Sequence, residues 1–218
     1  MSIVKVKPEF VVAIDGPAGA GKSTAAQGVA AALEGFRYLD TGAMYRAVTA
    51  YLLRFDKKDA SENEMAEAAE GLELRAGKHF VHGVDVSDAL RTPGVDAEVS
   101  RVSALPRVRR VIQGKQREQR GRIVVEGRDI GSVVFPNAAV KVFLTAQLSE
   151  RARRRHRQDP VQSPDEVQAS IARRDAIDSS RADSPLIVPE GAHEIDTTEL
   201  SIEEMVERIV SLVQAADA

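Results

Sequence analysis

Apolar and polar positions alternate along the chain in two distinct periods. Phe10 to Ile14 form a short, β-branched apolar run ended by Asp15, which predicts a buried strand. Lys22 to Glu34 follow with helical spacing, closed by Gly35. A second short strand is expected over 36–40 and a second helix over 41–55. Ser61 and Glu64 stand at capping-box spacing ahead of a third helix. The pattern then changes. Residues 72–87 alternate apolar and polar around Ala76-Gly77-Lys78, which reads as a β-hairpin, and Pro93-Gly94 is expected to close that segment. Pro106 is expected to start a basic helix running to about Arg120. Two more buried strands read from "RIVVEG" and "VKVFLTA". Ser149 is placed as the cap of a helix beginning "ERARRRHR". Ser163-Pro164-Asp165-Glu166 supply a cap, a first-turn proline and a box partner for another helix. "HEIDT" reads as a last strand, and Ser201 with Glu204 opens a terminal helix. Strands alternating with helices predict a doubly wound α/β domain with a small β insertion near 71–92.

Composition narrows the partners. The 218 residues carry a net charge of −3, so no global field draws the chain to nucleic acid or to an anionic membrane. There is no cysteine, hence no disulfide and no thiolate metal site, which fits a reducing cytoplasm. Tryptophan is absent and aromatics are few, which argues against a stacking platform for single strands. No run is long enough to span a bilayer. His79 and His82 are three apart on an expected strand and face opposite ways, so they read as surface or packing residues rather than metal ligands.

The strongest chemical signal is the stretch Gly16-Pro17-Ala18-Gly19-Ala20-Gly21-Lys22-Ser23, followed by Thr24. It fits the P-loop pattern G-x-x-x-x-G-K-S/T between a strand and a helix. Small residues let backbone N–H groups converge on phosphate oxygens, and the helix presents its positive end to the same anion. Lys22 is placed to reach the phosphate that moves, and the Ser23 hydroxyl to ligate Mg²⁺. The pattern alone does not choose among kinase, motor, transporter ATPase and GTPase. An N-K-x-D stretch for guanine is absent, and so is an LSGGQ-like signature.

Three expected strands end in an acid: Asp15-Gly16, Asp40-Thr41-Gly42 and Glu126-Gly127-Arg128-Asp129. In an open parallel sheet, ligands bind beyond the carboxyl ends of the strands, so these ends are expected to line one crevice. Their acids suit water around Mg²⁺, and Arg128 suits a second phosphate. Arg174, Asp178 and Arg181 are spaced i, i+4, i+7, one face of a helix. "RARRRHR" (151–157) reads either as a solvated helix face or, beside a P-loop, as a mobile segment able to close over a triphosphate; the overall charge does not support a nucleic-acid patch.

Together these motifs resemble the bacterial-type cytidylate (CMP) kinases. "IDGPAGAGKST" is shared by many P-loop kinases, whereas "EGRDIGSVVFP" and "RRDAIDSSR" are far more specific. "LDTGAMYR", "DVSDALRT", "VSALPRVR" and "IDTTELSIEEM" extend the likeness over nearly the whole chain. The resemblance implies a P-loop kinase fold, a parallel sheet flanked by helices, within one domain over 1–218. It also implies a monophosphate-binding insertion over about 60–105 and a short lid over about 151–163. ATP would lie on Gly16 to Thr24, with Lys22, Arg128 and Arg174 as the catalytic set and Ser23 on the metal. Thr41 and Arg46 would meet the acceptor nucleotide, with Arg46, Arg128 and Arg174 sharing its phosphate. Ser100, Arg109 and Asp129 would read cytosine, while Asp178 and Arg181 would hold the sugar. The reaction implied is phosphoryl transfer from MgATP to CMP or dCMP, by a cytoplasmic monomer without nucleic-acid or membrane partners. The rival readings are a kinase for UMP, AMP or shikimate, and a regulatory nucleotide binder without transfer chemistry.

Overall fold

The computed structural model describes residues 9–158 and 163–217. In chain order the elements are β1 (Phe10–Asp15), α1 (Lys22–Ala32), β2 (Arg37–Asp40), α2 (Thr41–Arg54) and α3 (Glu62–Glu70). Next come β3 (Leu72–Arg75), β4 (Lys78–Val81), β5 (Val84–Asp85), α4 (Pro93–Ala104) and α5 (Pro106–Arg117). The chain ends with β6 (Arg122–Glu126), β7 (Val140–Thr145), α6 (Leu148–Gln158), α7 (Pro164–Ser180), β8 (His193–Asp196) and α8 (Ile202–Asp217). Two compact units result: Met1–Leu39 with Arg120–Ala218, and Asp40–Gln119.

The first unit is built on a five-stranded sheet in the order β2-β6-β1-β7-β8. β1 runs parallel to β6 and β7, and β7 runs parallel to β8. Period-two alternation divides β1 between two cores. Phe10, Val12 and Ile14 pack with Val29 of α1 and with Met205, Ile209 and Val213 of α8. Ala13 faces the other way, with Ile123, Val125, Ile130 and Val134. The central strands β1, β6 and β7 are covered on both faces, which is why they read as nearly continuous apolar runs. Full burial of a side chain such as Ile14 stabilises by roughly 1.5–3 kcal/mol.

The second unit packs α2, α3, α4 and α5 with an antiparallel three-stranded sheet, β3-β4-β5. Its core runs from Met44, Val48 and Leu52 through Met65 and Leu72 to Val95, Val99, Val108 and Ile112. Among the described residues no helix is long and apolar enough to cross a membrane.

The capping boxes at Ser61 and Ser163 are both formed, and Ser201 and Glu204 make the same reciprocal bonds. Four local expectations need correction. Pro93 opens helix α4 at its first turn, so Pro93-Gly94 begins an element rather than closing one. Ser149 does not cap α6: Arg151 N already bonds Gln147 O, so the helix is under way two residues earlier. His82 lies beyond the end of β4 with φ 47°, in a turn, so it does not share a strand with His79. Arg181 falls just past α7, whose last residue is Ser180, with extended backbone (ψ 134°).

Candidate functional site

The glycine loop leaves β1 at Asp15 and enters α1 at Lys22. Gly16 has φ 146°, and a Cβ there would sit 2.1 Å from the Leu144 carbonyl oxygen, so only glycine lets the loop leave this sheet. No side chain caps the N-terminus of α1 and its first turn holds no acid. The orphan amides and the positive helix end therefore suit an external anion.

Lys22 is buried, and its Nζ donates to the Pro17 carbonyl at 2.7 Å. Burial, then the Arg128 and Arg174 charges, push its ammonium down to about 7, with Glu126 and Asp15 opposing. Ser23 Oγ donates to Glu126 Oε1 at 2.6 Å, and Tyr38 Oη reaches the same oxygen at 3.2 Å.

The acid strand ends therefore take different roles. Asp15 accepts from Ile130 N (2.8 Å) and Gly131 N (2.7 Å), and burial pushes its carboxyl up to about 6. Asp40 caps α2 through Ala43 N and pairs with Arg91. Of the three, only Glu126 meets the loop's hydroxyl. The π-helical turn Ile130–Val134 held by Asp15 carried no recognisable signal in the apolar pattern "IGSVV".

Arg128 and Asp129 occupy the turn after β6. Arg128 Nε donates to Asp178 Oδ2 at 2.8 Å. Arg181 Nη2 pairs with the other oxygen, Asp178 Oδ1. Burial alone would raise the Asp178 carboxyl, but Arg128, Arg181 and Arg174 outweigh it and hold the carboxyl below its usual range. Asp178 is 1% exposed, so its ionised form depends on these cations. Arg128, Asp178 and Arg181 thus meet inside the first unit, both guanidinium groups on the one carboxylate. Asp129 is buried and heads the π-helical turn, its carbonyl accepting from Val133 N and Val134 N.

Thr41, Arg46, Ser100 and Arg109 belong to the second unit. Thr41 is the buried first residue of α2. Arg46 Nη2 pairs with Asp96 Oδ1 at 2.7 Å and Nη1 donates to Leu90 O at 3.0 Å. Ser100 is half-buried on α4, and its carbonyl accepts from Ser103 Oγ. Arg109 is 2% exposed, donates from Nη1 to Ser103 O at 2.9 Å, and lies over the Tyr45 ring at 5.5 Å. Each guanidinium is oriented by protein partners before any ligand is considered.

Asp96 and Asp175 carry no motif signal of their own: Asp96 precedes Ser100 by one helical turn on α4, and Asp175 sits inside "RRDAID" on α7. Its Oδ1 accepts from Ala18 N at 3.0 Å, inside the glycine loop. Arg151, at the start of the expected closing segment, is buried against that loop, donating to Ala18 O and pairing with Asp175. Arg154 donates to Thr197 Oγ1 at 3.0 Å, and Arg153 pairs with Glu150. The expected lid over about 151–163 lies partly outside the described residues.

Residues 12–215 match a family model described as cytidylate kinase. A cytidylate kinase of Solibacter usitatus is 47% identical over 215 residues, covering 94% of this chain and 92% of that protein. One of Caldanaerobacter subterraneus subsp. tengcongensis is 46% identical over 211 residues, covering 93% and 94% respectively. An uncharacterized protein from Eubacterium ventriosum shares the fold: TM-score 0.52 at 12% identity over 95% of this chain and 99% of that one.

Proposed function

The chain belongs to the cytidylate kinase family, and from that premise we infer that it transfers the γ-phosphoryl group of MgATP to CMP or dCMP, giving CDP or dCDP. The observation that best supports this reading is the uncapped, acid-free N-terminus of α1 with buried Lys22 at its head, in the same unit as the Arg128–Asp178–Arg181 set. A helix end and cations of this kind suit transfer between two phosphorylated nucleotides, since charge spreads over both phosphates in the transition state.

In this reading ATP lies on Gly16 to Thr24, its phosphates taken by loop amides other than that of Ala18, which Asp175 holds, and Pro17, which has no N–H; Lys22 exchanges its Pro17 bond for phosphate oxygens. Ser23 fits a hard divalent cation: its hydroxyl donates its proton to Glu126, which turns oxygen lone pairs outward. Among the described residues no cluster of three or more His, Asp or Glu side chains forms a metal cage. Mg²⁺ would therefore be held by Ser23, by Glu126 through water, and by phosphate oxygens, as is usual for this ion. When bound, it supplies charge neutralisation at the transferring phosphate.

Arg46, Arg128 and Arg174 would hold the CMP phosphate. The carboxylates of Asp178 and Asp96 fix two of these guanidinium groups. Asp178 and Arg181 would hold the sugar, and Thr41 would contact the acceptor nucleotide. Ser100, Arg109 and Asp129 would read the base. The acceptor oxygen is already a phosphate oxygen, so no strong general base is needed and positioning does most of the work. The segment 151–163 would exclude water, which otherwise competes as acceptor. We further propose a monomer acting in the cytoplasm on small nucleotides, without nucleic-acid or membrane partners.

The test is an acceptor panel. Initial rates of ADP formation with MgATP should be high with CMP and dCMP and far lower with UMP, AMP and shikimate. Nucleotide binding without acceptor-dependent ADP formation would instead mark a regulatory binder.

A further inference from the structure

Arg151 and Asp175 form an ion pair whose geometry the phosphotransfer reading leaves unused. Asp175 Oδ1 accepts from Ala18 N at 3.0 Å, and Oδ2 pairs with Arg151 Nη1. Arg151 Nη1 also donates to Ala18 O at 2.9 Å, and its Nε donates to Ala146 O at 2.9 Å. One ion pair, contributed by α6 and α7, therefore holds both the N–H and the C=O of a single residue of the glycine loop. The approach is tight: a Cβ on Gly19 would stand 3.0 Å from both Arg151 Cβ and Arg151 O. Apolar packing of Ala18 with Ala152, Val167 and Ile171 backs the same contact.

The other end of this connection is Asp178, one helical turn beyond Asp175 on α7. Residues i and i+3 of a helix are near neighbours held by a rigid backbone. Asp175 grips the loop, while Asp178 grips Arg128 and Arg181.

We propose that Arg151 and Asp175 are positioning residues that couple the two nucleotide sites, so that a nucleotide on the glycine loop and CMP at the arginine set strengthen each other's binding. The proposal rests on the kinase reading. Phosphates seated on the loop fix the Ala18 peptide, Asp175 follows it, and Asp178 sets Arg128 and Arg181 for the acceptor. Coupling between sites is reciprocal, so CMP must tighten the donor nucleotide by the same factor.

The experiment is calorimetric titration of a non-hydrolysable ATP analogue with Mg²⁺, in the absence and presence of saturating CMP. In the native protein CMP should lower the analogue's Kd by about fivefold or more. In Asp175→Asn, which keeps an oxygen for Ala18 N but removes the charge facing Arg151, the ratio should fall to within about twofold of one. Arg151→Met should do the same. A native ratio of one, or a native-like ratio in either variant, overturns the proposal. Hydrogen exchange on the unmodified protein covers the case in which both variants misfold: CMP alone should slow exchange of the Ala18 amide, and an unchanged rate overturns the coupling. Failure of the kinase reading is seen separately, as absence of CMP-dependent ADP formation by the native chain.

Discussion

Lys22 donates from Nζ to the Pro17 carbonyl, 2.7 Å away within the same loop. Buried there beside Arg128 and Arg174, its ammonium is pushed down to about 7. Triphosphate oxygens on the loop would reverse that shift, because an adjacent anion favours the charged form. The bound pKa then exceeds the free one, so near pH 8 nucleotide binding takes up a proton. Calorimetry in buffers of different ionisation enthalpy should show this uptake in the native protein and lose it in Lys22→Met. Equal uptake by the variant would assign the proton to another group. The same variant, still folded, should turn over about 10²–10³-fold more slowly.

The proposed assignment of Arg46, Arg128 and Arg174 to the acceptor phosphate makes a second prediction. Each alanine substitution should raise KM for CMP more than KM for ATP. A charge-assisted contact of this kind contributes roughly 1.5–3 kcal/mol, about tenfold or more in kcat/KM. Arg128→Ala should be the most severe, because it also removes the Nε partner of the buried Asp178 carboxylate. Native CMP kinetics in all three variants would mean that the phosphate sits elsewhere.

Asp15 carries a prediction about stability and pH. Its carboxyl is raised from 3.8 to about 6 by burial, although Gly131 N and Ile130 N favour the charged form. A folded-state value above the unfolded one stabilises fully below the unfolded value, and that contribution is lost as pH rises through the folded one. Relative to Asp15→Asn, the native chain should therefore lose stability between about pH 4 and pH 6. The loss should be at most about 3 kcal/mol and level off above pH 7. Urea denaturation of both proteins at several pH values measures it. A difference that grows with pH would show that the two N–H donors outweigh burial.

The sheet and the glycine loop were legible because their signals are local. β1 reads from five apolar residues in a row, and Lys22 and Ser23 follow from the loop spacing. Capping boxes at Ser61 and Ser163 were equally legible, since both partners lie within four residues. What the sequence hid is nonlocal. Asp175 and Ala18 are 157 positions apart, and no spacing rule joins them. The divergent use of the strand-end acids was hidden for the same reason: Asp15, Asp40 and Glu126 look alike until their partners are in place. Pro93-Gly94 misled because a proline can open a helix as readily as end a hairpin. The π-helical turn at Ile130–Val134 depends on the Asp15 carboxylate rather than on its own residues.

Base choice is the last prediction and rests on Asp129 and Arg109. Cytosine presents an amino donor where uracil presents a carbonyl, and its neighbouring ring nitrogen accepts where that of uracil donates. An ionised carboxylate only accepts and a guanidinium only donates. Asp129 facing the amino group and Arg109 facing the ring nitrogen or carbonyl would match cytosine and clash with uracil. Both side chains are buried, which makes an unmatched polar group expensive. Arg109 is further oriented by Ser103 O and the Tyr45 ring, and Asp129 by its place at the head of the turn. A site of this kind discriminates by several orders of magnitude, about 10⁴-fold in favourable cases. Asp129→Asn keeps the shape but adds a donor that can face the uracil carbonyl. It should lower kcat/KM for CMP and narrow the CMP-to-UMP ratio by at least about tenfold, the size of one charge-assisted bond. Measuring both kcat/KM values in the native protein and the variant checks this. An unchanged ratio would remove Asp129 from base reading and leave Ser100 and Arg109 to carry the discrimination.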